Sequence, residues 1–157
     1  MTEAANIVIR EATEGDLPAI LRLYGQPEID DGAILPLDAA RDILRQFARY
    51  PHYKVYVAEC GGGVAGSYAF LVMHNLGHLG APSAIVEDVV VDPASQGAGI
   101  GRQMMRHAME QVRAANCYKL MLSSNAKRER AHAFYEQLGF ERHGYSFLVR
   151  FDTEERR

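Results

Sequence analysis

"VVVDPASQGAGIGRQMM", Val89–Met105, passes from three β-branched residues through a glycine-rich turn into a segment with helical spacing of apolar residues. The valines suit an extended strand. From Ile100 onward, Met104, Met105, Ala108, Met109, Val112 and Ala115 recur at steps of three and four, which predicts a helix with one buried face. Its methionines read as core packing. A helix entered through Gly97, Gly99 and Gly101 offers unpaired N–H groups and the positive end of the helix dipole beside a turn with few side chains. Such a turn suits a phosphate or diphosphate; a tight turn with no ligand is the alternative reading. The spacing is G-x-G-x-G, not G-x-G-x-x-G, and "CYKLML" further on holds no acid for a ribose, so a nicotinamide enzyme is disfavoured. Nor does the chain carry a G-K-[ST] to seat a nucleoside triphosphate with magnesium, which disfavours an ATPase.

Outward from this stretch the same rules assign the other elements. "NIVIRE" reads as a first strand, and Thr13 or Asp16 as a cap for a helix with Leu17, Ile20, Leu21 and Tyr24 on one face. After the loop "GQPEIDDGAILP", Asp38 is the expected cap of a second helix that turns Ala40, Ile43, Leu44, Phe47 and Ala48 inward and stops before Pro51. Gly61-Gly62-Gly63 divide two strand-like runs and predict a tight hairpin. Ala84–Val91 forms the strand before the glycine turn, and "YKLMLSS" the strand after its helix. A last helix carries Ala131, Phe134, Tyr135 and Leu138 and ends at Gly139, followed by Phe140. "HGYSFLVRF" reads as a final strand with an edge available for a homodimer, and "DTEERR" as a solvated end. The expectation is an α/β (α+β) fold in a single domain over residues 1–157, with a mixed, mostly antiparallel sheet of six to seven strands and helices on both faces.

Composition narrows the function classes. The 157 residues are 48% apolar and 24% charged, the balance of a folded globular protein with one core. A net charge of −3, with basic pairs only at Lys127-Arg128 and Arg156-Arg157, provides no field for nucleic acid. No apolar run approaches the roughly 18 residues that span a bilayer, and "MTEAANIVIR" lacks the pattern of a secretory leader, so the cytoplasm is expected, with no membrane partner. Cys60 and Cys117 have no CxxC spacing and read as buried, reduced thiols. His74 and His78 lack further ligands nearby, so no metal site is assigned.

Two motifs carry a resemblance. Gln96-Gly97-Ala98-Gly99-Ile100-Gly101 after a strand, followed by Ala131, Phe134, Tyr135, Gly139 and Phe140 in the pattern A-x-x-F-Y-x-x-x-G-F, resembles the general N-acetyltransferase (GNAT) superfamily over nearly the whole chain. "VEDVVV" and "CYKLML" are similar to the glucosamine-6-phosphate branch, and "NAKRERAHAFYEQLGFERHGYSF" to aminoalkylphosphonate and aminoglycoside N-acetyltransferases. The resemblance implies an acetyl-coenzyme A-dependent N-acetyltransferase acting on a primary amine of a small molecule; the alternatives are a protein or peptide N-acetyltransferase, or a coenzyme-sensing or partner-binding module without transfer. It implies that backbone N–H groups of Gln96, Gly97, Ala98, Gly99, Ile100, Gly101 and Arg102 hold the pyrophosphate, and that Val89, Val90 and Val91 pair with the pantetheine arm. The family asparagine seven residues before the tyrosine is Arg128 here, with Asn125 the substitute candidate.

Acetyl transfer needs a neutral amine, an oxyanion donor and a proton for the thiolate. Tyr135 is the expected acid, since a phenol near pKa 10 protonates a thiolate near 8.5 only slightly uphill. Glu87 and Asp88 are candidate bases that strict alternation would send to opposite faces; Glu87 is favoured, acting through water, with an ion-pairing role as the alternative. A backbone N–H among Val89–Val91 is the expected oxyanion donor. Neither cysteine has a neighbouring base for a covalent route, so direct transfer in a ternary complex is preferred.

Overall fold

The computed structural model describes residues 6–151; the acidic-basic end "DTEERR" and the first five residues lie outside the described residues. The chain divides into two compact units, Met1–Leu122 and Ser123–Arg157. The first contains β1 (Ile7–Glu11), α1 (Leu17–Tyr24), α2 (Leu37–Phe47), β2 (Tyr53–Cys60), β3 (Gly63–Met73), β4 (Ser83–Val91), α3 (Ile100–Ala114) and β5 (Leu120–Met121). The second contains α4 (Glu129–Gln137).

The five strands form one sheet in sequence order. β1 to β4 pair antiparallel, and β4 and β5 pair parallel, so the sheet is mixed and mostly antiparallel as expected. Cys60 pairs with Gly63, which leaves Gly61 and Gly62 as a two-residue hairpin turn with φ of +62° and +84°. Both values favour glycine. Period-two alternation then sends β3 residues to two different layers. Ala69 joins Ile20 of α1, Val55 and Val57 in one core cluster. Gly66, on the other face, lies against α3, where an added Cβ would stand 2.9 Å from Ile100 Cγ2. Tyr68 is fully buried on that face, and its hydroxyl hydrogen-bonds His107 Nδ1 of α3 at 2.6 Å. Helices thus cover both faces of the sheet.

Four expectations are corrected. The sheet has five strands among the described residues, not six or seven, because 143–151 contains no strand and leaves Tyr145, Phe147, Val149 and Phe151 exposed. The strand expected over "YKLMLSS" is confined to Leu120–Met121. Pro36, not Asp38, is the N-cap of α2; Asp38 falls in its first turn, while Ile43 stays exposed and Leu37 packs instead with Leu44 against Leu17, Leu21 and Ala40. Proline there fixes φ and needs no donor. Cys60 and Cys117 are half-buried rather than buried, because Cys60 ends β2 at the hairpin turn and Cys117 lies in the connection from α3 to β5.

The entry to α1 is held by charge. Thr13 N–H donates to Asp16 Oδ2 at 2.7 Å, and Arg10 grips both Asp16 oxygens at 2.7 and 2.8 Å while reaching Glu59 at 2.8 Å. The Arg10 contacts outweigh the burial of Asp16 and lower its carboxyl to about 2. A carboxyl depressed in the fold contributes stability that is complete above its unfolded pKa near 3.8 and is lost as pH falls toward 2. The shift corresponds to about 2 kcal/mol at 1.4 kcal/mol per pKa unit. Urea unfolding should therefore show this loss between pH 4 and pH 2, about 2 kcal/mol in size. Arg10→Met should remove a similar amount at pH 7 and flatten much of the acid dependence; an unchanged acid limb in that variant would refute the assignment.

Candidate active site

The glycine turn has the predicted form. Gly97 and Gly99 have φ of +85° and +83°, Gly99 is the N-cap of α3, and a Cβ at either would meet nothing within 4 Å. The glycines are therefore required by backbone conformation, and the space beside them is open. Gln103 N–H donates to Gly99 O at 3.0 Å. The three N–H groups before it, on Ile100, Gly101 and Arg102, have no acceptor inside the helix. Not every predicted donor is free: Gln96 N–H goes to Pro93 O at 3.4 Å and Ala98 N–H to Ser95 O at 3.3 Å. The remaining set, Gly97, Gly99, Ile100, Gly101 and Arg102, sits at the positive end of a 15-residue helix.

β4 leads into this turn with one edge uncovered. Its pairing with β5 consists of Ala84 with Leu120 and Ile85 with Met121, whereas its pairing with β3 continues to Val91. From Val86 to Val91 the β5 side of β4 is left unpaired by β5. Alternate N–H and C=O groups on a strand point to each side, so this edge can accept another extended chain bearing amides. The carbonyl of Val91 already takes a hydrogen bond from Gln26 Nε2 at 3.0 Å, which ties the loop after α1 to the end of the strand. Sequence reasoning missed Gln26, for which no local motif exists.

The carboxylates depart from the alternation argument. Ser67 pairs with Val90 and Ala69 with Glu87, so Tyr68 faces two residues, Asp88 and Val89, across a β-bulge. Asp88 takes the extra position at φ +51°, uncommon for a non-glycine residue. A bulge cancels the expected opposition of neighbouring side chains. Burial, then Asp88, then Glu87 raise the Tyr53 hydroxyl, so both carboxylates act on one tyrosine on the α1 side. Tyr24 is raised by burial and by Asp88. Asp88, although its side chain is exposed, is raised by local desolvation first and then by the Glu87 and Asp30 charges. Asp88 thus bears on both Tyr24 and Tyr53, with Asp30 acting on Tyr24 and Glu87 on Tyr53, an acidic corner on the α1 side of the sheet.

In the second unit, α4 holds Tyr135 between Phe134 and Phe140, with ring centroids at 5.2 and 5.6 Å. Gly139 at φ +96° stops the helix and lets Phe140 N–H return to Tyr135 O at 3.1 Å, as expected. Burial raises the Tyr135 hydroxyl, and the Arg128 charge opposes that rise. Arg128 is the N-cap residue of α4. Asn125 has local work: its Oδ1 accepts from Lys127 N–H at 2.9 Å, and its carbonyl accepts from Arg128 N–H at 3.0 Å and His132 Nε2 at 2.8 Å. Only its side-chain NH2 remains for another partner.

The glycine turn, the partly unpaired strand and the tyrosine-bearing helix can now each be set beside known proteins. The model of the Acetyltransferase (GNAT) family matches residues 17–140, spanning most of the chain. The chain belongs to the GNAT acetyltransferase family. It is 31% identical over 144 residues to the glucosamine 6-phosphate N-acetyltransferase of Trypanosoma brucei brucei, covering 91% of this chain and 95% of that one. It is also 31% identical over 139 residues to the aminoalkylphosphonate N-acetyltransferase of Salmonella typhimurium, covering 88% of each. Among solved structures, a Trypanosoma brucei acetyltransferase superposes with a TM-score of 0.80 at 28% identity, covering 93% of this chain and all of that one. Family and relatives make this GNAT protein an N-acetyltransferase with the GNAT α/β fold. No helix among the described residues is long and apolar enough to cross a membrane.

Proposed function

We propose that this N-acetyltransferase takes its acetyl group from acetyl-coenzyme A and transfers it directly to the primary amine of a small molecule within a ternary complex. The supporting observation is that β4, left unpaired by β5 from Val86 to Val91, leads into a turn that frees the N–H groups of Gly97, Gly99, Ile100, Gly101 and Arg102 at the start of α3. The open space at Gly97 and Gly99 fits a diphosphate, and the strand edge fits an amide-bearing arm. The thioester, when bound, supplies an activated acetyl carbon. Within the chain, Glu87 or the raised Asp88 relieves the amine of its proton through water, and an N–H of Val89–Val91 faces the developing oxyanion. The C–N bond forms, the C–S bond breaks, and Tyr135 gives its proton to the departing thiolate.

The whole of residues 1–157 is proposed as one catalytic domain, and the exposed row Tyr145, Phe147, Val149 and Phe151 as the surface of a homodimer. The free thiols Cys60 and Cys117 suit the cytoplasm. Thiol release from acetyl-coenzyme A, followed with primary amines, amino sugars, aminophosphonates and peptides, tests the reading. Turnover with a small amine at least about tenfold above the peptide background is expected. Tight coenzyme binding with no turnover for any acceptor would replace it with a sensing role.

A further inference from the structure

On the α1 side of the sheet, the end of α2 and the start of β2 enclose a groove of about 320 Å³, a size that small-molecule sites occupy. Leu44, Phe47, Tyr50, Tyr53 and Val55 provide its apolar surface. The rings are mutually set edge to face, Phe47 to Tyr53 at 4.9 Å and Tyr50 to Tyr53 at 6.3 Å, a stable arrangement for an aromatic wall. At the rim, Lys54 is engaged by Glu11 at 3.3 Å, and no arginine lines the groove. The basic side chains of the lining are Lys54 and His52, so the groove lacks the bidentate arginine clamp that suits a phosphate or phosphonate.

Tyr53 also belongs to the acidic corner. It pairs with Leu71 of β3, which pairs with Ile85 of β4, two residues before Glu87 on the same face. The charges acting on Tyr53 are Asp88 and Glu87, both negative. One tyrosine thus joins an apolar groove to a pair of carboxylates, an arrangement complementary to an ammonium attached to an apolar body.

Building on the N-acetyltransferase reading, we infer that this groove seats the apolar or aromatic body of the acceptor while its amine reaches past Tyr53 to Glu87 and Asp88. The acceptor class is an alkyl- or arylalkylamine, in contrast to the phosphorylated or phosphonylated amines named for the two relatives. Ala48 lines the groove from an exposed position at the end of α2, so Ala48→Trp fills the groove without entering the core. With 2-phenylethylamine and ethylamine as paired probes, wild type should prefer the aryl compound by about 100-fold in kcat/KM, and Ala48→Trp should cut that preference by at least about tenfold. Tyr50→Ala, at another exposed position, should cut it as well. Equal use of the two probes by wild type, better use of glucosamine 6-phosphate, or an unaltered preference in both variants would overturn the inference. Calorimetry with 2-phenylethylamine on the coenzyme-free protein separates the two claims. Binding that Ala48→Trp abolishes upholds the groove even if no amine is acetylated, whereas turnover of other amines with no such binding overturns the groove alone.

Discussion

Tyr135→Phe is expected to lower kcat by about 100-fold or more at every pH from 6 to 9, with KM for acetyl-coenzyme A nearly unchanged. General acids of this kind contribute about 100- to 10,000-fold. The substitution removes one oxygen and keeps the ring between Phe134 and Phe140, so the helix end closed by Gly139 should persist. The direction of the pKa shift refines the expectation. Burial raises the hydroxyl, so the phenol is a weaker acid than its ordinary value suggests, and Arg128 restores part of its strength. Each unit of mismatch with the thiolate costs about 1.4 kcal/mol. The raised value also keeps Tyr135 protonated well above neutrality, so wild-type kcat should show no alkaline fall below pH 10. Steady-state and single-turnover rates across this range provide the check; a Phe variant with the wild-type chemical step would deprive Tyr135 of its role.

What could be read along the chain depended on whether the cause was local. Gly97, Gly99, Gly61, Gly62 and Gly139 announce left-handed backbone by composition, and the three-and-four spacing from Ile100 announces a buried helical face. Asp88 announces nothing. Its positive φ comes from the register of β4 against Tyr68, twenty positions earlier in the chain, where two β4 residues oppose one of β3 and the strict alternation with Glu87 is broken. The final alternating segment misled for a related reason. Tyr145, Phe147, Val149 and Phe151 satisfy the period of a strand, but a strand also needs a neighbour to take its hydrogen bonds, and period alone cannot provide one. The occupied N–H groups of Gln96 and Ala98 are likewise a property of the short turn at Pro93–Ser95, where the main chain folds back on its own donors.

Gly99→Val should raise the Kd for acetyl-coenzyme A by about 100-fold, a loss of roughly 2.7 kcal/mol. Two effects combine. Valine at φ +83° is strained by about 1–3 kcal/mol, and its side chain projects into the space open beside the free N–H groups. Strain alone could weaken binding by loosening the fold, so a matched control is needed. Gly62 has φ +84° and equally open surroundings, yet lies in the β2–β3 hairpin turn. Gly62→Val should therefore lose similar stability in urea while leaving coenzyme affinity intact. Calorimetric titration of both variants distinguishes the causes. Equal loss of affinity would mean that backbone strain accounts for the effect, and unchanged affinity in Gly99→Val would place the diphosphate away from the mouth of α3.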